Sequence, residues 1–378
     1  MGGIIELTRG ADRQRLLNAM ARAHQLMKGP RRVGKSTLLD DLVSRTPAGW
    51  RMVRVDLESA ANTEAGVDLL EAALRNATLL GPLPTKAFGV LRRVTVSGVE
   101  LDLDALKPAD RLNALVGSAL THLKRGERLG LLFDEVPWWL DAIQEEEGQA
   151  PARRALKRLH ALGADPRYRE QLTIVLAGSA NLRPVASALS CDDYLAGLED
   201  FELAPLDPHG TAAVFEVEVL THPISDDAKA RVHELTAGIP EWVKHLAGHL
   251  PLSALPTSVV LTADHVDRAA NAYVRSHQPA PFDRERRRHL KLRHGDEHAA
   301  IMNKMLDVVA QRDERTPVNG LIGVAMSASN ARLDERSARA LVDHLVHAYY
   351  LRIDLSADEV WFYCPLFGRT WAWRGSAS

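Results

Sequence analysis

The chain of 378 residues is too long for one ordinary hydrophobic core and suits two or three domains. With 46 % apolar and 25 % charged residues it has the make-up of a globular protein, and a formal net charge of −2 excludes bulk attraction to a polyanion. Its two cysteines, Cys191 and Cys364, lie far apart with no CxxC pair, against a disulfide framework or a zinc site, and no apolar run approaches the roughly 20 residues of a membrane span. The opening MGGIIELTRG lacks the basic and apolar blocks of a signal peptide and has Glu6 where myristoylation needs a hydroxyl, so a cytoplasmic protein without membrane contact is expected.

Residues 11–23 have the spacing of an amphipathic helix, and HQLMK (24–28) reads as a short strand. Helix resumes through STLLDDLVSR, WRMVRVDL (50–57) alternates as a strand, and residues 64–79 return to helical spacing. The stretch 80–108 holds turn residues and two β-rich pieces, VLRRVTV and VELDL, which read as a hairpin-like insertion. A helix at 109–124 precedes LGLLFD, a continuous apolar run ending in acid, as in a buried parallel strand. EEEGQAP (145–151) reads as a loop, residues 152–163 as a basic helix, and QLTIVLAGSANL (171–182) as another buried strand. This alternation predicts an α/β fold with a parallel sheet. After about residue 205 the chain reads as helices without strands between them. PAPF (279–282) and the charged stretch after it read as a link. Residues 298–374 read as three helices and two strand-like pieces, YYLRIDL and EVWFYCP, the order of a winged helix-turn-helix. The expected boundaries are a core at 1–205, a helical region at 206–278, a basic linker or helix at 279–297 and a winged-helix domain at 298–378.

Between the first strand and the next helix, Gly29-Pro30-Arg31-Arg32-Val33-Gly34-Lys35-Ser36 matches the phosphate-loop pattern G-x-x-x-x-G-K-[ST] and is followed by Thr37. Glycines let backbone N–H groups turn inward around a phosphate, and the helix N-terminus adds partial positive charge. Lys35 is the type of residue that reaches β- and γ-phosphates, and Ser36 the type that ligates Mg²⁺. About a hundred residues on, Asp134 ends the apolar strand in position to hold the metal or its waters, and Glu135 follows as a general base for water. A water-activating acid next to that Asp suits ATP hydrolysis better than small-molecule kinase chemistry. ATPases with an additional strand between the two motif strands place a γ-phosphate-sensing polar residue at its end. Ser179 is the first candidate here and Asn181 the second, with a turn of small residues as the alternative reading.

GPRRVGKSTLL, LLFDEVPWWL, LTIVLAGSANL, FELAPLDPHGTAAVF and ELTAGIPEWVKHLA together resemble, in order, the archaeal-type ATPase family, which is similar to the STAND branch of the AAA+ ATPases. The resemblance spans roughly residues 8–374. It implies a P-loop (AAA+/STAND-like) core, a helical lid over 206–278 and a C-terminal winged helix, with ATP or ADP and Mg²⁺ as cofactors. It also implies that Pro240, in Gly238-Ile239-Pro240, packs against adenine; the same AGIP also reads as a helix–helix turn. Relatives often carry a Gly-Arg pair after the third strand end. Here SALSCDDYLAGLEDFELAPL is acidic and has no arginine, which puts an arginine finger from this place in doubt; Arg153, Arg154 and Arg158 are conceivable substitutes, but an ordinary solvated helix face suits them better.

DRERRRHLKLRH (283–294) carries six Arg/Lys against two acids, which suits phosphates, a solvated helix or an acidic partner. The recognition-helix candidate 334–348 begins with two acids, leaving Arg336 and Arg339 as its basic residues, and Trp371 and Trp373 close an aromatic segment that reads as core strand ending in a docking surface. Two functions follow, with a scaffold that binds nucleotide without turnover as a third and weaker reading. One is an ATP-operated switch that controls a protein effector or its own assembly, in a defence or mobile-element setting by resemblance alone, with a homo-oligomer possible and the effector expected on another polypeptide. The other is a DNA-binding ATPase like replication initiators and transposition regulators, with 283–294 as the contact.

Overall fold

The computed structural model describes residues 2–80, 93–96, 99–102, 107–179, 181–276, 279–312 and 315–375. By packing they form two compact units: Arg9–Lys28 with Lys35–Leu203, and Ala204–Ser378 with Met1–Thr8 and Gly29–Gly34.

In chain order the first part runs α1 (Gly2–Met20), β1 (His24–Lys28), α2 (Lys35–Ser44), β2 (Trp50–Asp56), α3 (Thr63–Asn76), β3 (Arg93–Val96), β4 (Val99–Asp102), α4 (Pro108–Thr121), β5 (Arg128–Asp134), α5 (Val136–Glu146), α6 (Gln149–Ala164), β6 (Leu172–Leu176), α7 (Leu182–Ala188) and β7 (Leu198–Glu202). Five parallel strands lie in the order β2-β5-β6-β1-β7. Parallel strands covered by helices on both faces are buried without alternation, and the inner strands β5 and β6 follow this rule. From Leu129 to Asp134 every residue of β5 is buried, as is all of β6. Each such Leu, Ile or Phe side chain withdrawn from water contributes about 1.5–3 kcal/mol.

The hairpin expected within 80–108 is present as the antiparallel pair β3–β4; residues 81–92, 97–98 and 103–106 lie outside the described residues. The loop expected at 145–151 is shorter. Helix α5 continues to Glu146 and α6 begins at Gln149, with Gly148 at φ 94° turning the chain between them. Strand β7 was not foreseen. Its LEDFE sequence buries only Phe201 and pairs edge-on with β1.

The second part runs α8 (Pro208–Glu218), α9 (Asp226–Thr236), α10 (Pro240–Ala247), α11 (Ala263–Arg275), α12 (Pro279–Ala310), β8 (Thr316–Pro317), α13 (Val318–Ala328), α14 (Glu335–His347), β9 (Leu351–Asp354), β10 (Glu359–Phe362) and α15 (Pro365–Gly375). One hydrophobic cluster extends from Leu206 to Trp371. The three strands form an antiparallel sheet in the order β8-β10-β9. The stretch expected as a link is helical: α12 starts at Pro279 and its backbone breaks only at Gly295, φ 72°. Most side chains of 283–294 lie outside the described ones.

The last aromatic segment departs from expectation. Only Glu359–Phe362 is strand; Pro365 opens α15, and Gly368 lies where an added Cβ would sit 2.7 Å from the Phe362 ring. Trp371, expected at a docking surface, is instead 1 % exposed, with its indole N–H donated to Asp307 Oδ1 at 2.7 Å. Trp373 remains at the surface.

Candidate functional site

Strands β5, β6 and β1 are neighbours and parallel, so their C-terminal ends lie side by side. In parallel sheets flanked by helices, this edge is where ligands bind. Three of the motifs found in the sequence leave from these ends: Gly29–Gly34 follows β1, Asp134-Glu135 closes β5, and Ser179 follows β6.

The loop after β1 turns on its two glycines. Gly29 and Gly34 have φ of 144° and 102°, a region that L side chains rarely adopt. Pro30 accepts a hydrogen bond from the N–H of Val33, which is fully buried and anchors the turn. Lys35 is the first residue of α2 and is buried at 5 % exposure; Ser36 and Thr37 follow in the first turn, where helical N–H groups have no intrahelical acceptor. Arg31 is half-buried. Arg32, with φ 64°, pairs through Nη1 with Glu241 Oε1 at 2.7 Å. Glu241 follows Pro240, which opens α10 after a left-handed turn at Ala237 and Gly238. The helix–helix turn expected of AGIP is therefore present. His245, one turn further on, is held below the ordinary histidine range by burial, against the pull of Glu241 and with the help of Arg32.

At the end of β5, Asp134 is 1 % exposed. Its Oδ1 accepts the N–H of Glu135 at 3.1 Å. Its Oδ2 accepts from Arg54 of β2, at 2.8 Å from Nη2 and 3.2 Å from Nε. Burial disfavours the charge on Arg54, but its hydrogen bond to Asp134 and the charges of Asp134, Asp40 and Asp56 outweigh this and raise its pKa above the ordinary arginine value.

Glu135 is the N-cap of α5 in a left-handed conformation, φ 58° and ψ 33°. A side chain there costs about 1–2 kcal/mol, a strain typical of functional positions. Its carboxylate does not cap the helix. Oε2 accepts both the backbone N–H of Ser179 at 2.9 Å and its hydroxyl at 2.8 Å. The approach that makes this possible depends on Gly178, where a Cβ would lie 2.4 Å from Pro137 Cδ and 3.5 Å from Glu135 Cα. Between the two candidates for the third strand end, the geometry brings Ser179 to Glu135, whereas Asn181 caps α7 by accepting the N–H of Arg183.

Arg183, the last arginine before the acidic stretch, is paired with Asp200 at 2.8 Å, and Lys28 pairs with the same carboxylate. Arg158 of α6 has its pKa lowered by burial and by Arg154. In the C-terminal unit Arg339 bonds Asp358 at 3.0 Å, while Arg336 is exposed. Arg54 lies outside the quoted motifs, and Gly178, though inside LTIVLAGSANL, was given no role. The signal for Arg54 was a charge inside an alternating strand that leads toward the motif-bearing edge of the sheet; for Gly178, only the packing identifies it.

The donors suit a magnesium-bound nucleotide: a hydroxyl at Ser36 and a buried carboxylate at Asp134 are hard oxygen ligands, beside a buried lysine that opens a helix.

No family model and no curated protein matches the sequence. Solved structures do match. A Walker-type ATPase of Pyrococcus abyssi is 14 % identical over 97 % of this chain and 95 % of its own, with a TM-score of 0.67. The ORC2 protein of Aeropyrum pernix, solved in ADPNP–ADP complexes, is 13 % identical over 97 % of this chain and 92 % of its own, with a TM-score of 0.55. At these identities the likeness is one of fold: the two structures and this chain share an overall architecture, here a five-stranded parallel sheet flanked by helices and followed by a largely helical C-terminal part.

Proposed function

We propose that this chain binds ATP with Mg²⁺ and hydrolyses it, working as a switch of the STAND/AAA+ type that controls a protein effector or its own assembly. The observation that carries the reading is the Ser179–Glu135 contact: a candidate phosphate sensor donates two hydrogen bonds to the candidate base, at the end of the strand between those leading to the phosphate loop and to Asp134. A hydrolytic role explains why a strained, buried-edge carboxylate is kept there.

Gly29–Gly34 and the N-terminus of α2 would hold the β-phosphate, Lys35 the β- and γ-phosphates, and Ser36 and Asp134 the metal shell. The metal supplies charge neutralisation to the phosphates when bound. Glu135 takes the proton of the attacking water, and Ser179 orients that carboxylate while sensing the γ-phosphate. Pro240 would pack on adenine. Residues 206–278 would act as a lid and 298–378 as a winged helix, an assignment supported by α13, α14 and the hairpin β9–β10 in the order such a domain requires. Differential contacts to the γ-phosphate are what would bias such a switch.

Phosphate release by the purified chain, with and without Mg²⁺, tests the reading. ATP turnover that disappears in Lys35→Ala together with nucleotide binding supports it; turnover retained in Lys35→Ala refutes it.

A DNA-binding ATPase is the second reading. Its support is that residues 283–294, with six basic residues and two acids, lie on helix α12 rather than in a linker. DNA affinity across a salt series decides it. A steep slope that flattens when Arg286, Arg287 and Arg288 become Ala favours it, and no measurable binding rules it out.

A further inference from the structure

Arg54 makes three ion pairs at once. Besides Asp134, it reaches Asp40 of α2 through Nη1 at 3.0 Å and Asp56 of β2 through Nη2 at 2.8 Å. The three partners are unequal. The Asp134 side chain is 1 % exposed, whereas those of Asp40 and Asp56 are 62 % and 48 % exposed. Water screens the outer two pairs, while the inner one sits in a medium where charge interacts strongly.

A carboxylate placed to hold a metal shell thus already carries a cation on one oxygen and a backbone N–H on the other. A guanidinium and a divalent cation seek the same lone pairs and repel each other. Asp40 and Asp56 provide the guanidinium with acceptors on the solvent side, so letting go of Asp134 does not leave it unpaired. We propose that Arg54 is a displaceable counter-cation of Asp134 that sets the metal affinity of the nucleotide site by competing with the divalent ion for that carboxylate. The proposal rests on the assignment of Asp134 to the metal shell. Even with the full screening of water, which sets the lower limit, a unit charge a few ångströms from a dication changes an association constant by roughly tenfold.

The experiment titrates Mg²⁺, from EDTA upward, into the chain with a fluorescent ADP analogue and reads the Mg²⁺ concentration giving half the gain in nucleotide affinity. Arg54→Gln is expected to need about tenfold less Mg²⁺ than the unsubstituted chain. The double change Asp40→Asn with Asp56→Asn is expected to need more, because Arg54 then has Asp134 alone. Both of these acids are exposed, so this second variant remains informative if Arg54→Gln melts too low to be assayed. A midpoint in Arg54→Gln that stays within twofold, or that rises, overturns the competition, as does an unchanged or lower midpoint in the double variant. Asp134→Asn separates the two layers. If it leaves the Mg²⁺ midpoint unchanged, the assignment of Asp134 itself falls; if it abolishes the response while Arg54→Gln does nothing, only the role of Arg54 falls.

Discussion

Glu135→Gln isolates chemistry from structure at the β5 terminus. The amide has the size of the carboxylate and keeps a carbonyl oxygen, so it can accept both hydrogen bonds that Ser179 donates at 2.9 and 2.8 Å. What changes is that two charge-assisted bonds become neutral ones, a loss on the order of 1 kcal/mol in total. The left-handed backbone is unaffected, since Gln and Glu pay the same penalty there. Stability should therefore move little. Turnover should fall by about 10²–10⁴-fold, or about 3–5 kcal/mol in the barrier, because an amide takes no proton from water. The assay pairs phosphate release with nucleotide affinity and thermal melting. Turnover within twofold of the unsubstituted chain would refute Glu135 as the base. A melting temperature that collapses with activity would show instead that the Ser179 contact is a structural tie.

Three more outcomes are expected. Gly178→Ala forces a methyl to within 2.4 Å of Pro137 Cδ; a cost of about 1–3 kcal/mol and lost turnover with nucleotide affinity retained are expected, and full activity would show that Ser179 need not stay on Glu135. Glu241→Gln removes the partner of Arg32, whose side chain is 35 % exposed against 36 % for Glu241; less than about 1 kcal/mol of stability is at stake, while ATP should bind a few-fold more tightly by calorimetry because Arg32 no longer has a competing carboxylate. Stability should also fall on mild acidification: burial lowers the pKa of His233, His245 and His344, so as pH drops below about 6.5 the unfolded chain takes up protons before the folded one does. A urea midpoint equal at pH 7.5 and 5.5 would contradict this.

The elements that carry the site were legible because they obey simple patterns. LGLLFD is an uninterrupted apolar run, as a doubly covered strand must be, and GPRRVGKS places glycines where the backbone has positive φ. What stayed hidden depends on three-dimensional neighbours. Nothing in sequence links Arg54 to Asp134, eighty residues apart in the chain, because the register of β2 against β5 is set by packing. Trp371 looked like surface since a strand reading put it near an exposed end; in helix α15 its side chain turns into the core. Strand β7 escaped notice because a partly exposed edge strand lacks the apolar run used to find its neighbours.

That same strand affects how the chain behaves at high concentration. Among the described residues β7 pairs only with β1, so its outer row of peptide groups faces away from the sheet. Such a row invites a strand from another molecule and, through it, precipitation. Glu199, Asp200 and Glu202 are all exposed along it, and Arg15 stacks over Phe201 at 4.6 Å and donates to the carbonyl of Glu202 at 2.7 Å. Two like-charged copies brought edge to edge would align acid against acid. The residues that obscured β7 in the sequence thus act as its guard, and replacing Glu199 and Glu202 with threonine should lower the solubility limit of the chain before it alters turnover.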